Sequence, residues 1–265
     1  MAKSGQARVL STEQFRHLMA EIEKHRHPEK NAAIMQVSFK LGLRVQEISL
    51  LTIKEVARLS GPAQAKTFKL LEIMSLPASY TKGANATRNG QSNKTYNRRT
   101  IRFKVEDFNN LIEQVAAMAR AGAVIDPKQF YPAVDSRTGT SRDLPMTDDA
   151  LRESLSRHIE NRLTKNPSLK PNDPLFVSQK GGQYSPNTLQ DHIGLMLKEW
   201  AGVEKASSHS GRRGLATDII HGQGHSIKVA QKILGHKDAS TTVIYEEPPE
   251  EIIGEALRGV GEKYN

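Results

Sequence analysis

Apolar residues recur every three to four positions along most of the chain, and this spacing predicts a mainly helical protein. The first helix begins behind Ser11 and Gln14, which form a capping box, and its apolar stripe runs to Ile22. The other predicted helices are residues 29–41, one opening near Arg44, residues 105–121, one starting at Thr147, and one capped by Ser185-Pro186. In the last of these, Trp200 keeps the phase of the buried stripe, so we interpret it as a core residue.

Residues 66–103 have the β-branched and alternating residues that are typical of strands. The predicted strands are Phe68–Met74, Ser75–Thr81 and Arg99–Phe103. The polar stretch 83–97 is a long loop, and segments 122–146 and 164–174 have the Pro, Gly and Ser content of connectors. The whole pattern predicts an α+β protein that is mainly α-helical, with a small sheet.

The chain is basic, and its basic residues are unevenly distributed. Its 265 residues include 38 Lys and Arg against 29 Asp and Glu, which gives a formal net charge of +9. No acidic residue lies between Ile73 and Val105, whereas that segment holds Lys82, Arg88, Lys94, Arg98, Arg99, Arg102 and Lys104. Such a segment favours a polyanionic partner, double-stranded DNA, bound more weakly as salt rises. The net charge alone would also fit a soluble basic protein without this partner.

Several classes of chemistry are excluded by what the sequence lacks. Without cysteine there can be no disulfide, thiolate zinc site or cysteine nucleophile, and no Walker, GxSxG or Rossmann motif is present. His221 and His225 have metal-like spacing, but the glycines between them favour a turn and no third ligand is evident. We therefore predict no metal and no cofactor. The absence of a signal peptide and of a long apolar run predicts a cytoplasmic protein with no membrane partner.

Residues suited to phosphate chemistry recur near the C-terminus. His209 and Arg212 are three residues apart, which is about one helical turn, and they are followed by Leu234-Gly235-His236 and Tyr245. An arginine guanidinium stays charged and can hold two phosphate oxygens, and a tyrosine hydroxyl can form a covalent intermediate. Each feature alone is more typical of a solvated helix face, of a helix end with Gly235 as its left-handed C-cap, or of a half-buried tyrosine. The prediction depends on their joint order and spacing.

Together with Gly42-Leu43-Arg44-Val45-Gln46-Glu47, these motifs resemble the tyrosine recombinase, or phage integrase, family. The resemblance extends from about Ser11 to Tyr245 and implies that family's catalytic-domain fold, with a small antiparallel sheet. It implies a site-specific recombinase that cuts and rejoins DNA strands through a 3′-phosphotyrosine, with Tyr245 as the nucleophile. The residues that it places around the scissile phosphate are Arg44, His209, Arg212 and His236.

The resemblance also implies supporting residues. Glu47, one turn after Arg44, would orient the arginine, although an ordinary intrahelical ion pair explains their spacing equally well. Lys82 would be the general acid that protonates the departing 5′-oxygen. Lys94 is the alternative, because the loop that contains it is longer than is usual in the family. The predicted DNA-binding residues are Arg88, Lys94, Arg98, Arg99 and Arg213.

Three segments are predicted: an N-terminal tail at 1–10, the catalytic domain at 11–245, and a C-terminal tail helix at 246–265. The apolar stripe of the tail helix would either pack on its own domain or pass to a neighbouring protomer, as in the family. The second arrangement implies a homo-tetramer on DNA. Most family members also have an N-terminal DNA-binding domain, so the chain is either a minimal recombinase or a recombinase from which this domain was removed. A prokaryotic or phage-encoded, nucleoid-associated protein is expected.

Two alternative functions stay open from the sequence. A type IB topoisomerase-like nicking-closing enzyme would use the same chemistry without bringing two DNA sites together. A non-catalytic DNA-binding or excision-accessory protein could keep the fold, but it would not need the full set of Arg44, Lys82, His209, Arg212, His236 and Tyr245.

Overall fold

The computed structural model describes residues 7–80, 105–125, 141–236, 240–243, 245, 253–254 and 257–258. The chain divides into two compact units, one formed by residues 1–82 with 139–265 and the other by residues 83–138. The described part of the first unit is mainly helical and contains two small antiparallel sheets. The predicted fold class is therefore confirmed.

Three helices open the first unit. Helix α1 (Thr12–Glu23) begins at the predicted capping box, in which Ser11 Oγ accepts from the Gln14 N–H and Gln14 Oε1 accepts from the Ser11 N–H. Helix α2 (Pro28–Lys40) agrees with the prediction to within one residue at each end and is buried from Lys30 to Ser38. Helix α3 (Val45–Leu50) starts directly after Arg44, also as predicted.

Four short strands make two antiparallel pairs. They are β1 (Ala57–Ser60), β2 (Thr67–Leu70), β3 (Ile73–Leu76) and β4 (Arg142–Pro145). β1 pairs with β2, with Ala57 opposite Leu70, and β3 pairs with β4, with Leu76 opposite Arg142. The second pair joins segments that are far apart in the chain, because residues 77–141 lie between its two strands.

The predicted strand Phe68–Met74 is wrong, because the chain changes its partner in the middle of that stretch. The Leu71 N–H donates to the Val56 carbonyl at 2.9 Å, whereas the Glu72 carbonyl accepts from the Met146 N–H at 2.8 Å. The stretch is therefore split between two sheets. Alternation along one strand does not show such an exchange, because it reports only which face each side chain occupies.

The other strand predictions also need correction. The strand predicted at Ser75–Thr81 ends at Leu76 and is followed by a 3-10 turn at Ala78–Tyr80. β4 lies inside the segment 122–146 that was interpreted as a connector, and β1 was not predicted. The strand predicted at Arg99–Phe103 lies outside the described residues.

The helices of the C-terminal half have clear caps. The predicted start at Thr147 is two residues early, because Asp148 caps the helix by accepting from the Leu151 N–H at 2.9 Å. Ser185 caps its helix as predicted. The elements are α5 (Asp149–Lys165), α6 (Pro186–Leu195) with a π turn at Met196–Trp200, α7 (Ser210–Thr217) with a π turn at Asp218–Gly222, α8 (Ile227–Leu234) and α9 (Ser240–Val243).

Helix α2 is the centre of the first unit and packs against α1, α5 and α7. Its apolar side chains join those of α1, α5 and α6 in one buried core. Trp200 packs against this core, as predicted, and its ring stacks on His25 with the ring centres 3.8 Å apart. The position of α7 is thus fixed by its contact with the most buried helix.

In the second unit, the structure describes helix α4 (Val105–Arg120), close to the predicted 105–121. Phe108 and Ile112 on this helix are about half exposed. Across the described ranges, no helix is both long enough and apolar enough to cross a membrane.

Candidate active site

The turn between α2 and α3 carries the first candidate residues. Gly42 has a φ of +60°, a left-handed conformation that other residues rarely adopt, so the backbone at this turn favours glycine. Arg44 is the N-cap of α3. Glu47 Oε2 accepts from the Arg44 backbone N–H at 2.8 Å, and Glu47 Oε1 accepts from Arg44 Nη1 at 3.0 Å. Glu47 therefore holds both the start of the helix and the arginine side chain.

Arg212 is held by the backbone on two sides. Its Nη1 donates to the Gly42 carbonyl at 2.6 Å, and its Nη2 donates to the Leu234 carbonyl at 2.6 Å. The side chain is only 4% exposed. Each Nη has a second hydrogen, so two donors can still reach an anion in front of the guanidinium.

The start of α7 places His209 one turn before Arg212, as the spacing predicts. His209 is exposed and is the N-cap of α7, and Arg212 is the third helical residue. Gly211 lets α7 approach α2 closely, because a Cβ there would lie 2.8 Å from the Ser38 carbonyl oxygen. The glycine in the His-Ser-Gly-Arg motif thus has a packing role.

His236 follows the C-terminal end of α8. Gly235 has the left-handed φ of +63° that was predicted for a C-cap, and the His236 N–H donates to the Gln231 carbonyl at 3.1 Å. His236 Nδ1 lies 2.8 Å from Oγ1 of Thr242, which is fully buried on α9. This hydrogen bond fixes the ring orientation and leaves Nε2 as the nitrogen that can exchange a proton with a substrate.

Tyr245 lies beside His236. The two rings are nearly parallel, at 14°, with their centres 6.2 Å apart. The Tyr245 N–H donates to the Thr242 carbonyl at 2.9 Å, and the Tyr245 carbonyl accepts from His221 Nε2 at 2.9 Å. His221 was interpreted as part of a turn between two helices. It lies instead in the π-helical segment Asp218–Gly222 that continues α7, and its hydrogen bond anchors the backbone of Tyr245.

Arg142, on β4, is a site residue that the sequence did not reveal. Its Nη2 donates to Glu47 Oε2 at 2.6 Å, its Nη1 donates to the Ile233 carbonyl at 3.0 Å, and it is 8% exposed. The short stretch Arg142–Pro145 alternates between buried and exposed positions. The sequence offers no comparable signal, because an arginine at such a position is normally assigned to the exposed face.

Two guanidinium groups, those of Arg44 and Arg142, therefore hydrogen-bond to the buried Glu47 carboxylate, and that of Arg212 lies near enough to interact with it electrostatically. Burial, and next the nearby Arg44, lower the pKa of Arg212 to about 9. Burial also lowers the pKa of Arg142, although Glu47 opposes the shift. For His236, burial and then Arg212 lower the pKa to about 4, so its ring is neutral at neutral pH. A cluster with this excess of positive charge is suited to an anion such as a phosphodiester.

Other predicted site residues are not in this cluster. Arg213 is half-buried and donates from Nη1 to the Ala7 carbonyl at 2.9 Å, so its predicted DNA contact stays a prediction. Lys82, Arg88, Lys94, Arg98 and Arg99 lie outside the described residues. No group of three His, Cys, Asp or Glu side chains within the described ranges could hold a metal ion.

Acid is expected to destabilise the fold. Burial is the main cause that lowers the pKa of His158, His192 and His236 to about 4, below the ordinary value of 6.5. As the pH falls, these histidines are therefore protonated in the unfolded chain before they are protonated in the folded one. Their contribution to the free energy of unfolding is complete above pH 6.5 and is lost as the pH falls towards 4. For His158, which is 2% exposed, the expected loss in unfolding free energy is about 2 kcal/mol between pH 7 and pH 5. Urea unfolding at both pH values measures it.

The control is His158→Gln. A glutamine amide can donate to the Leu175 carbonyl, as His158 Nε2 does at 2.8 Å, but it does not titrate. The variant should lose less stability than the parent between pH 7 and pH 5. An equal loss in both proteins would contradict the buried, neutral state of His158.

The sequence profile of the phage integrase family matches residues 112–251, a range that includes His209, Arg212, His236 and Tyr245. The tyrosine recombinase XerC of Natranaerobius thermophilus is 32% identical over 125 residues, which are 46% of this chain and 41% of that protein. XerD of Pseudomonas putida is 34% identical over 122 residues, 46% of this chain and 40% of that protein. The chain thus spans about two fifths of the length of these relatives.

Solved structures agree on the fold. The XerA recombinase superposes with a TM-score of 0.58 at 19% identity, over 96% of this chain and 65% of that chain. The Tn1549 transposon integrase, in complex with transposon right end DNA, superposes with a TM-score of 0.56 at 15% identity, over 98% of this chain and 68% of that chain.

Proposed function

Because the chain belongs to the phage integrase family, we propose that it is a site-specific DNA recombinase whose Tyr245 forms a 3′-phosphotyrosine intermediate. The main support is the position of Tyr245 beside His236, at a cluster in which Arg212 is held by two buried hydrogen bonds and Arg44 by a part-buried one. A nucleophile and an anion-binding group are thus adjacent. This is the minimum that phosphoryl transfer through a covalent enzyme intermediate requires.

Each step of the proposed reaction can be assigned to a particular residue. The Tyr245 phenolic oxygen attacks the phosphorus, a new O–P bond forms, and the bond to the 5′-oxygen breaks. Arg44, Arg212 and His209 donate to the non-bridging oxygens, where charge develops. The phenolic proton passes to the neutral His236, whose Nδ1 is held by Thr242.

The departing 5′-oxygen needs a proton. We assign this role to Lys82, with Lys94 as the alternative, because ammonium groups can act as general acids. The reverse reaction, in which a 5′-hydroxyl from another strand attacks the phosphotyrosine, rejoins DNA without an external energy source. Arg88, Arg98, Arg99 and Arg213 are proposed to contact the DNA backbone.

The proposed partner is double-stranded DNA, and the proposed assembly is a homo-tetramer on two sites. DNA complexes of a Tn1549 integrase and of XerH recombinase are among the structural neighbours. The tail at 246–265 would link the protomers. In the described part of that tail, Ile253 is 45% exposed and Leu257 is 67% exposed, as expected for apolar side chains that would be buried against a neighbouring protomer.

To test the proposed function, the DNA sequence that the purified protein binds is first selected from a library of random duplexes. A plasmid with two directly repeated copies of this sequence should give two smaller circles after incubation with the protein, and Tyr245→Phe should give none. A nicking-closing enzyme would instead relax supercoiled plasmid without producing smaller circles. Binding to the selected sequence without cleavage or relaxation would identify a non-catalytic accessory protein. Either of the last two results would overturn the proposal.

A further inference from the structure

We propose that Arg142 is a positioning residue that sets the spacing between Arg44 and Arg212, the two arginines proposed to hold the scissile phosphate. This inference rests on the proposed function. Arg142 comes from the β3–β4 pair, whereas Arg44 comes from the start of α3 and Arg212 from α7. It therefore connects a third part of the fold to the site.

The first step of the argument is the pair of hydrogen bonds that Arg142 makes. Nη2 donates to Glu47 Oε2 at 2.6 Å, and Glu47 Oε1 in turn accepts from Arg44 at 3.0 Å. Nη1 donates to the Ile233 carbonyl at 3.0 Å, and the next carbonyl along the chain, that of Leu234, accepts from Arg212 at 2.6 Å. One planar guanidinium thus joins the group that holds Arg44 to the helix end that holds Arg212.

The second step concerns the shape of the helix end. A Cβ on Gly235 would lie 2.9 Å from Arg142 Nη1 and 3.0 Å from its Cδ, so the C-cap of α8 leaves room for this side chain. The next residue is His236. The position of Arg142 therefore also affects where the chain leaves α8 towards His236 and Thr242.

The third step is that a contribution to folding stability does not explain why Arg142 is buried against Glu47. Burial lowers the pKa of Arg142, and its Nε is buried without a hydrogen-bond partner among the described residues. Replacing a buried ion pair with apolar side chains often leaves a protein equally stable or makes it more stable. The geometry points instead to a role in holding charged groups at a defined distance.

The fourth step concerns Glu47. With Arg142 present, Glu47 Oε2 accepts from Arg142 and from the Arg44 backbone N–H, while Oε1 accepts from the Arg44 side chain. Without Arg142, Oε2 keeps only the backbone N–H, so its other lone pair becomes available to the second prong of the Arg44 guanidinium. Arg44 would then be held by Glu47 at the expense of the phosphate. Loss of Arg142 should therefore impair cleavage more than binding.

The experiment compares Arg142→Lys and Arg142→Met with the parent protein on a nicked suicide duplex that carries the selected sequence. At saturating protein, Arg142→Met should form the covalent adduct about 100-fold more slowly, the scale expected for a displaced catalytic group. Arg142→Lys keeps the charge and one hydrogen bond, so its loss should be about 10-fold. The dissociation constant for the duplex should change less than about 3-fold in both, because no direct DNA contact is removed.

The matched control is Arg152→Met. Arg152 Nη1 holds the ends of the same strand pair through the Leu71 carbonyl at 3.0 Å and the Met146 carbonyl at 3.2 Å, but it makes no hydrogen bond to Glu47 or α8 among the described contacts. This variant should lower the melting temperature and leave the adduct rate of the folded protein unchanged. Glu47→Gln supplies a second readout. If Arg142 acts through Glu47, the double variant should cleave faster than the product of the two single effects predicts.

The outcomes separate the two proposals. If the parent and Arg142→Met form adduct at equal rates, this inference is overturned and the proposed function stands. If Arg152→Met slows adduct formation as much as Arg142→Met does, Arg142 only supports the β3–β4 pair and the inference is again overturned. If Arg142→Met does not fold, the Arg142→Lys rate decides in the same way. A parent protein that forms no adduct overturns the proposed function and this inference together.

Discussion

Tyr245→Phe should bind its DNA site normally and form no covalent adduct. The substitution removes one oxygen, and this oxygen is the proposed nucleophile. The backbone bonds of residue 245 to Thr242 and His221 do not involve the side chain, and a phenylalanine ring can keep the stacking on His236. We therefore expect the fold and the binding constant to be unchanged. A denaturing gel of the suicide duplex measures the adduct, which should fall below detection.

Tyr80→Phe is the control for this prediction. It also removes one tyrosine hydroxyl, which contacts Glu55 at 3.4 Å, and the pKa of Tyr80 is raised to about 12, mainly by burial. A phenol with such a pKa is a poor nucleophile at neutral pH, so this variant should form the adduct at the parent rate. Adduct persisting at the parent level in Tyr245→Phe would show that another residue makes the covalent bond.

The elements that could be predicted are those with local signals. The capping box at Ser11, the proline start behind Ser185 and the glycine end at Gly235 each depend on residues within one turn, and all three are present. The proximity of His209 and Arg212 is local in the same sense, because both lie on one turn of α7.

The elements that could not be predicted depend on distant partners. β4 pairs with β3 across residues 77–141, and no spacing in the sequence shows which strand will meet it. The burial of Arg142 follows from that pairing, since the register places Arg142 opposite Leu76 and within reach of Glu47. The roles of Thr242 and His221 are likewise visible only once α7, α8 and Tyr245 are positioned together.

Glu47 shows why spacing and structure give different kinds of information. The spacing from Arg44 fits an exposed intrahelical pair, which contributes a few tenths of a kcal/mol. The structure shows a carboxylate that is 1% exposed and hydrogen-bonded to two arginine side chains and one backbone N–H. Because the carboxylate is buried, losing any one partner costs more free energy of unfolding, since the groups that remain cannot form hydrogen bonds with water instead.

Arg212→Lys should lose cleavage by about 10³-fold, with less than about a 10-fold loss in DNA binding. Removing a donor aimed at developing charge costs about 3–4 kcal/mol in the transition state. Lysine keeps a positive charge, so attraction to DNA persists. However, its single nitrogen cannot serve the Gly42 and Leu234 carbonyls, which Arg212 reaches with two separate Nη atoms, and also hold two phosphate oxygens. Adduct formation in a single turnover, together with a binding titration, measures both effects.

Arg162→Lys is the matched control for Arg212→Lys. Arg162 is partly buried, burial lowers its pKa as it does that of Arg212, and its Nη1 donates to the Pro174 and Leu175 carbonyls at 2.8 and 3.0 Å. Its replacement should cost comparable stability, because backbone carbonyls lose a donor in both variants. Since Arg162 is not one of the residues proposed to hold the scissile phosphate, the folded variant should cleave at the parent rate. If Arg212→Lys, folded to the same extent, also cleaved at that rate, Arg212 would hold the α2–α3 turn against α8 without acting on the phosphate.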